Sequence, residues 1–340
     1  MALMPRESGK LVASLAKDVF IEKEGIKNLA LAVLDGFKTR KIRPGNFSQV
    51  KFHPKRDDPR AADWIFVLDT LNFSFWTETG AKKWRVNGET GYFAFCAAIK
   101  RAIDEGKPMW DPKYYSQITQ QDAEVIFRGD DDTGIPLMQD RLTNLHEAGK
   151  VLLNKYQGTF VRLVESCGGS ADKLLKLIVS EFASYRDEAD YEDANCKYRI
   201  SIYKRAQILI GDIWACFEGR GLGKFQDIDC ITMFADYRIP QVLVHFGAMR
   251  YSNLLMNKLK SDEPLKQGSR EEVELRACSI EAVEQVCDEV WRLIQADSGM
   301  GLDPTAVNAI AIDHFLWDYR REHAEELEHI PFHKTRTIYY

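Results

Sequence analysis

EGIKNLALAVLDGF, Glu24–Phe37, sets Ile26, Leu29, Val33 and Phe37 at three- and four-residue spacing and closes near Gly36. That spacing lines one face of an α-helix. GKLVASLAKDVF, following Ser8, has the same period, so two helices are expected to open the chain. The pattern returns in YFAFCAAIKRAIDEG from Tyr92, in QQDAEVIF opened by Thr119, in IPLMQDRLTNLHEAGKVLLNKY from Ile135 and in ADKLLKLIVSEF opened by Ser170. It continues through IYKRAQILIGDIWACFEG from Ile202, SIEAVEQVCDEVWRLIQ from Ser279 and DPTAVNAIAIDHFLWDYRREH from Asp303. The expected fold is therefore mainly α.

One stretch departs from that period. Thr39 to Arg60 is loop-like, with Pro44, Gly45, Pro54, Pro59 and a run of charges. After it, ADWIFVLDTLNFSFW, Ala62–Trp76, alternates and is rich in β-branched and aromatic residues, and Asn87-Gly88 in KKWRVNGETGYF is a hairpin signal. A small β element is expected within residues 62–92. With no clear linker, internal repeat or low-complexity tract, residues 1–340 read as a single mostly helical domain. Gly219–Gly223 reads as a loop between helices, because no strand precedes it to make a phosphate-binding fingerprint.

Composition narrows the function. The chain has 340 residues, 45% apolar and 29% charged, enough to bury a core around a small-molecule pocket. Its net charge of −5 argues against broad neutralisation of duplex phosphates, whereas a single phosphate needs only one or two cations. The seven cysteines include no Cys-x-x-Cys pair, a pattern of reduced cytosolic thiols. MALMPRESGK lacks the apolar core of a signal peptide, and no stretch nears the roughly 18 apolar residues that span a membrane. A soluble cytoplasmic protein is expected.

Candidate chemistry gathers where charge interrupts apolar sequence. In TMFADYRIPQV, Thr232–Val242, Pro240 forces a helix break beside Asp236, so the segment reads helix, kink, helix. Asp236 either caps the second helix or pairs with Arg238, or it displays a ligand carboxylate on a rigid break. In AIAIDHFLWDYRREH, Ala309–His323, His314 and Asp318 lie one turn apart on one face and Asp313 on an adjacent one, among Ile310, Ile312, Phe315, Leu316 and Trp317. Buried carboxylates cost several kcal/mol unless paired or bound. The partners are either Arg238, Arg320 and Arg321, or a ligand rich in N–H donors.

Lys204 and Arg205 enter the apolar run YRISIYKRAQIL at a helix start, where the dipole disfavours cations unless an anion is present. The pair reads either as solvated, as most such pairs are, or as a phosphate site with Lys204 as the candidate ligand. His323, His329 and His333 have a metal-like spacing but sit in charged, turn-like sequence that reads as solvated surface, and no metal is expected. His53 is a lone loop histidine.

DTLNFSFW (Asp69–Trp76), SYRD (Ser184–Asp187), YKRAQIL (Tyr203–Leu209), ITMFADYRIPQVL (Ile231–Leu243), LWDY (Leu316–Tyr319) and the terminal IYY together resemble the queuosine salvage proteins, the queuosine 5′-phosphate N-glycosylases or hydrolases. All six stretches occur in the family's order, and the resemblance runs nearly end to end. It implies a compact helical fold distantly similar to DNA glycosylases, and hydrolysis of queuosine 5′-phosphate to queuine and ribose 5-phosphate. It assigns queuine contacts to His53, Phe234, Asp236, Asp313 and His314, and makes Asp318 the nucleophile or transition-state stabiliser. At position 314 relatives can carry tyrosine where this chain has histidine.

No cofactor is expected, and in the absence of a heptad seam the chain is expected to be a monomer. Two other classes stay open: a base-flipping glycosylase acting on DNA or RNA, and a helical module that binds queuine without turning it over.

Overall fold

The computed structural model describes residues 2–42, 44–194, 196–297 and 301–340. The backbone forms two compact units, one from Met1–Arg43, Asp187–Gln207 and Asp229–Arg336, the other from Pro44–Arg186, Ile208–Ile228 and Thr337–Tyr340. In the first unit the chain begins with α1 (Pro5–Leu15), β1 (Val19–Ile21) and α2 (Lys23–Lys38). The second unit holds α3 (Ala61–Thr70), β2 (Arg85–Val86), β3 (Glu89–Thr90), α4 (Gly91–Asp104), α5 (Pro112–Tyr115), α6 (Gln120–Ile126), α7 (Met138–Lys155), α8 (Phe160–Ser166) and α9 (Ala171–Glu181). The hairpin β4 (Glu188–Glu192) and β5 (Lys197–Ser201) is in the first unit and leads into α10 (Lys204–Cys216), whose first turn is in the first unit and the rest in the second. The first unit is completed by α11 (Ile239–His245), β6 (Met249–Tyr251), α12 (Asn253–Lys260), α13 (Arg270–Ala296) and α14 (Ala309–Glu322).

The fold is mainly α, with strands only in antiparallel pairs, β1 with β6, β2 with β3 and β4 with β5. Local signals act where the sequence places them. Thr119 and Asp122 form a reciprocal cap at the start of α6, each side chain bonding the other's backbone N–H at 3.1 and 2.7 Å. Ser170 caps α9 by accepting from the Lys173 N–H. Asn87 and Gly88 both take positive φ, the two-residue turn that joins β2 to β3.

The stretch read as extended, ADWIFVLDT, is α3 instead. All of its residues except Asp63 are buried. A helix buried on every side has no polar face, so its sequence loses the 3.6-residue signature and resembles a buried strand. The following LNFSFW is irregular backbone, and its burial in the second unit accounts for the aromatic content. Arg141, fully buried on α7, donates to the carbonyls of Leu71 and Phe73 at 2.6 Å each and stacks over the Phe73 ring. Ser74 holds the C-terminus: its N–H donates to Tyr340 O at 2.8 Å and its hydroxyl to Thr337 O at 2.7 Å. The β element expected within 62–92 is confined to β2 and β3.

In the first unit α13 runs through the core. Val273, Ile280, Val283, Val286, Val290 and Ile294 recur at helical spacing and are at most 5% exposed. Each such side chain removed from water contributes about 1.5–3 kcal/mol. The stripe packs against α1, α2, α11 and α14, which sets the wall on which the candidate site is built. At the start of α2 a Cβ on Gly25 would fall 1.9 Å from the carbonyl of Gly247, so only glycine permits this approach of α2 to the turn before β6.

Candidate active site

The segment Ile231–Asp236 carries no helix, which corrects the helix-kink-helix reading: only α11, after Pro240, is helical. Ile231 to Ala235 are buried, and buried backbone groups need partners. Side chains supply them in place of a helical ladder. Gln207 accepts from the Thr232 N–H at 2.8 Å and donates to the Thr232 hydroxyl at 2.8 Å. Asp313 accepts from the Phe234 N–H at 2.9 Å through Oδ1. The polar side chains of YKRAQ and AIAIDH thus bond an irregular segment that, among the described residues, pairs with no strand.

Of the readings weighed from the sequence, Asp236 takes the helix cap. Its Oδ1 accepts from the N–H groups of Arg238 (2.7 Å) and Ile239 (2.9 Å), capping α11, whose second residue is Pro240. Its other oxygen makes no hydrogen bond among the described residues. The Arg238 guanidinium turns elsewhere, donating to Gln241 Oε1 at 3.1 Å and lying over the Phe332 ring at 3.9 Å.

Asp313 is 5% exposed. Burial pushes its carboxyl well above the usual range, the hydrogen bond from Phe234 opposes that, and the Asp236 and Lys204 charges act upward and downward respectively. The Phe234 N–H is its sole hydrogen-bond partner among the described residues, which leaves Oδ2 available. Next to it, His314 packs against Phe234 with ring centroids 6.2 Å apart, and burial lowers its pKa to about 4. The imidazole is neutral at pH 7, with one nitrogen donating and one accepting.

Asp318 lies one helical turn beyond His314 and is exposed. Surrounding protein still removes enough water to raise its pKa, against the pull of the Arg321 charge and with the push of Glu322. It has no hydrogen bond or ion pair among the described residues, and the same holds for ion pairs to Asp236 and Asp313. The arginine partners considered for these carboxylates do not pair with them. Arg320 donates instead to Gln241 Oε1 at 3.2 Å.

Lys204 is 5% exposed at the start of α10, where its own N–H donates to Asp187 Oδ2 at 3.2 Å. The first amide of that helix is thus bonded to a carboxylate. His53 belongs to the second unit. Its Nδ1 lies 3.1 Å from Phe47 O and its Nε2 3.1 Å from the Tyr92 hydroxyl, and its ring packs on Phe47.

The structure thus brings Phe234, Asp236, Asp313, His314 and Lys204 together in the first unit, with Asp318 next along the same helix. One assignment of the histidine series changes: His333, read as solvated surface, is 1% exposed, and burial with the nearby Arg276 charge lowers its pKa to about 3. Reasoning from sequence also passed over Arg276. Its signal was present in VELRACSI, a guanidinium one turn after Val273 and one turn before Ile280 on the apolar stripe of α13.

Comparison with known proteins is consistent across the chain. The family model described as queuosine salvage protein matches residues 52–340. A Bos taurus protein named queuosine 5′-phosphate N-glycosylase/hydrolase is 45% identical over 344 residues, covering 99% of both chains. Its namesake from Mus musculus is 43% identical over 342 residues with the same coverage. One from Sphaerobacter thermophilus is 36% identical over 334 residues, 97% of this chain and 95% of its own.

Proposed function

Because the chain belongs to the queuosine salvage protein family, we propose that it hydrolyses the N-glycosidic bond of queuosine 5′-phosphate, releasing queuine and ribose 5-phosphate. The observation that carries this reading is a set of carboxylates oriented by their own backbone contacts yet left with free oxygens, beside a buried aromatic ring. Queuine is a deazaguanine whose pyrimidine edge presents N–H donors and whose arm presents an ammonium and hydroxyls. Carboxylate oxygens accept from all of these, and charge-assisted bonds are the strong ones. Asp236 is held by two N–H groups before any ligand arrives, so little freedom is lost on binding. Phe234 offers a face for the flat base, and neutral His314 beside it a donor and an acceptor.

Cleavage of the glycosidic bond builds oxocarbenium character at C1′. Asp318 is the carboxylate assigned to that charge, either by attacking C1′ or by activating water while stabilising the cation. Partial desolvation strengthens its field at the reacting atom. Lys204 is assigned to the 5′-phosphate, where remote binding energy positions the sugar for reaction.

The protein is proposed to act as a cytoplasmic monomer on the free nucleotide. Its net charge of −5 supports a small substrate over a nucleic-acid polymer, and among the described residues no helix is long and apolar enough to cross a membrane. A fold distantly similar to DNA glycosylases remains part of this proposal.

The test is chromatographic detection of queuine released from queuosine 5′-phosphate by wild type and by Asp318→Asn, with the variant's folding verified by circular dichroism. Release by wild type alone supports both the reaction and the role of Asp318. Binding of queuine without release by either protein would show a sequestering module and sink the hydrolase reading.

A further inference from the structure

Arg276, on the buried stripe of α13, is 2% exposed and spends its guanidinium on two parts of the chain. Its Nη1 and Nη2 grip Asp187 at 2.9 and 2.6 Å, and Nη1 also meets Glu272 Oε1 at 3.2 Å. Its Nε donates to the carbonyl of Ala235 at 3.0 Å. Ala235 sits between Phe234 and Asp236, the two residues of the segment assigned to the base. The same Asp187 accepts from the Lys204 N–H at the start of α10. One buried pair therefore ties the base-binding segment to the helix that carries Lys204.

Resting on the proposed function, we infer that Arg276 and Asp187 are positioning residues for the reaction. Among the described residues the segment pairs with no strand, and its pinned points are Thr232 on Gln207, the Phe234 N–H on Asp313, and Ala235 O on Arg276. Arg276 is the one that reads a carbonyl between the two ligand-facing side chains. The planar fork satisfies Asp187 with two nitrogens while Nε reaches Ala235, a geometry lysine cannot reproduce with one ammonium. Loosening it shifts Phe234 and Asp236 relative to Asp313, and displacements of about 1 Å are costly in binding and rate.

The experiment measures kcat and KM for queuosine 5′-phosphate and the Kd of free queuine, all per folded protein, in wild type, Arg276→Lys, Asp187→Asn, Asp236→Asn and Glu274→Gln. Glu274 is the control. It lies on the same helix, fully buried, and accepts from the Asp18 N–H and the Tyr191 hydroxyl, away from the segment. The expected result is a rise of roughly tenfold or more in KM and in queuine Kd for Arg276→Lys and Asp187→Asn. Glu274→Gln should lower the melting temperature and leave both constants unchanged.

If both variants of the pair merely melt earlier, with KM and Kd at wild-type values, the pair is scaffold and the inference is overturned. Should Arg276→Lys not fold, Asp187→Asn decides alone, because asparagine keeps an acceptor for the Lys204 N–H. Asp236→Asn separates the two levels. If it weakens queuine binding and the pair variants do not, positioning alone fails; if it leaves binding intact, the base site itself is misassigned and both readings fall.

Discussion

Two clusters of charged side chains in the first unit are built on opposite terms. Around Arg276, four guanidinium hydrogen bonds reach Asp187, Glu272 and Ala235, and the carboxylates answer a cation inside the protein. Around α14, Asp313 uses one oxygen on a backbone N–H, Asp236 uses one on two N–H groups, and Asp318 makes no hydrogen bond. A satisfied cluster holds a shape. The other keeps carboxylate oxygens without a hydrogen bond among the described residues, and for buried Asp313 an unpartnered oxygen in a low dielectric costs free energy.

The largest expected effect lies at the end of the open cluster. Asp318→Asn should fold like wild type and lose about a thousandfold or more in kcat, with queuine Kd little changed. Single-turnover release of queuine measures this, and a variant retaining wild-type turnover would move catalysis elsewhere.

Acid stability comes next, because each cluster contains one neutral histidine. His314 and His333 have folded pKa values near 4 and 3, below the 6.5 of the free side chain. A depressed histidine pKa gives stability that is present above pH 6.5 and lost as pH falls through the folded value. Acidification from pH 6.5 to 4 should therefore cost up to ~3 kcal/mol for each histidine. Thermal melts across that range should show a shallower acid loss for His333→Gln than for wild type; parallel curves would remove His333 from the account.

Asp236→Asn should weaken queuine binding by about 2 kcal/mol, the scale of one hydrogen bond to a charged group, while α11 keeps its cap because asparagine retains an acceptor. Calorimetric titration reads the affinity, and circular dichroism the helix. The smallest effect is expected at Lys204. Lys204→Met should reduce kcat/KM for the nucleotide by roughly tenfold and for the unphosphorylated nucleoside by little, a loss of remote binding energy. Equal losses on both substrates would assign Lys204 to the base end with Asp313, the carboxylate its charge already influences.

Much of the fold was legible because helices announce themselves locally. The amphipathic runs became α2, α4, α7, α9 and α14, and Thr119, Ser170 and Asn87-Gly88 act where they stand. The misreadings share one cause. ADWIFVLDT looked extended, TMFAD looked helical and His333 looked solvated, and in each case burial by distant residues overrode the local pattern. Of the site, Asp236, Asp313 and Asp318 stood out as charges among apolar residues. Their relation to one another did not, nor did the part played by Arg276.

By itself the sequence determined the helical period, the caps, the turn and the presence of acidic groups in apolar company, all properties of residues within a few positions of each other. Tertiary structure alone decided that Asp313 meets Phe234 across 79 positions, that Arg276 meets Ala235 across 41, and that it meets Asp187 across 89. Periodicity says which face of a helix is buried and carries no information on what buries it. The partner of a buried polar atom is settled only when packing brings distant segments within hydrogen-bond reach.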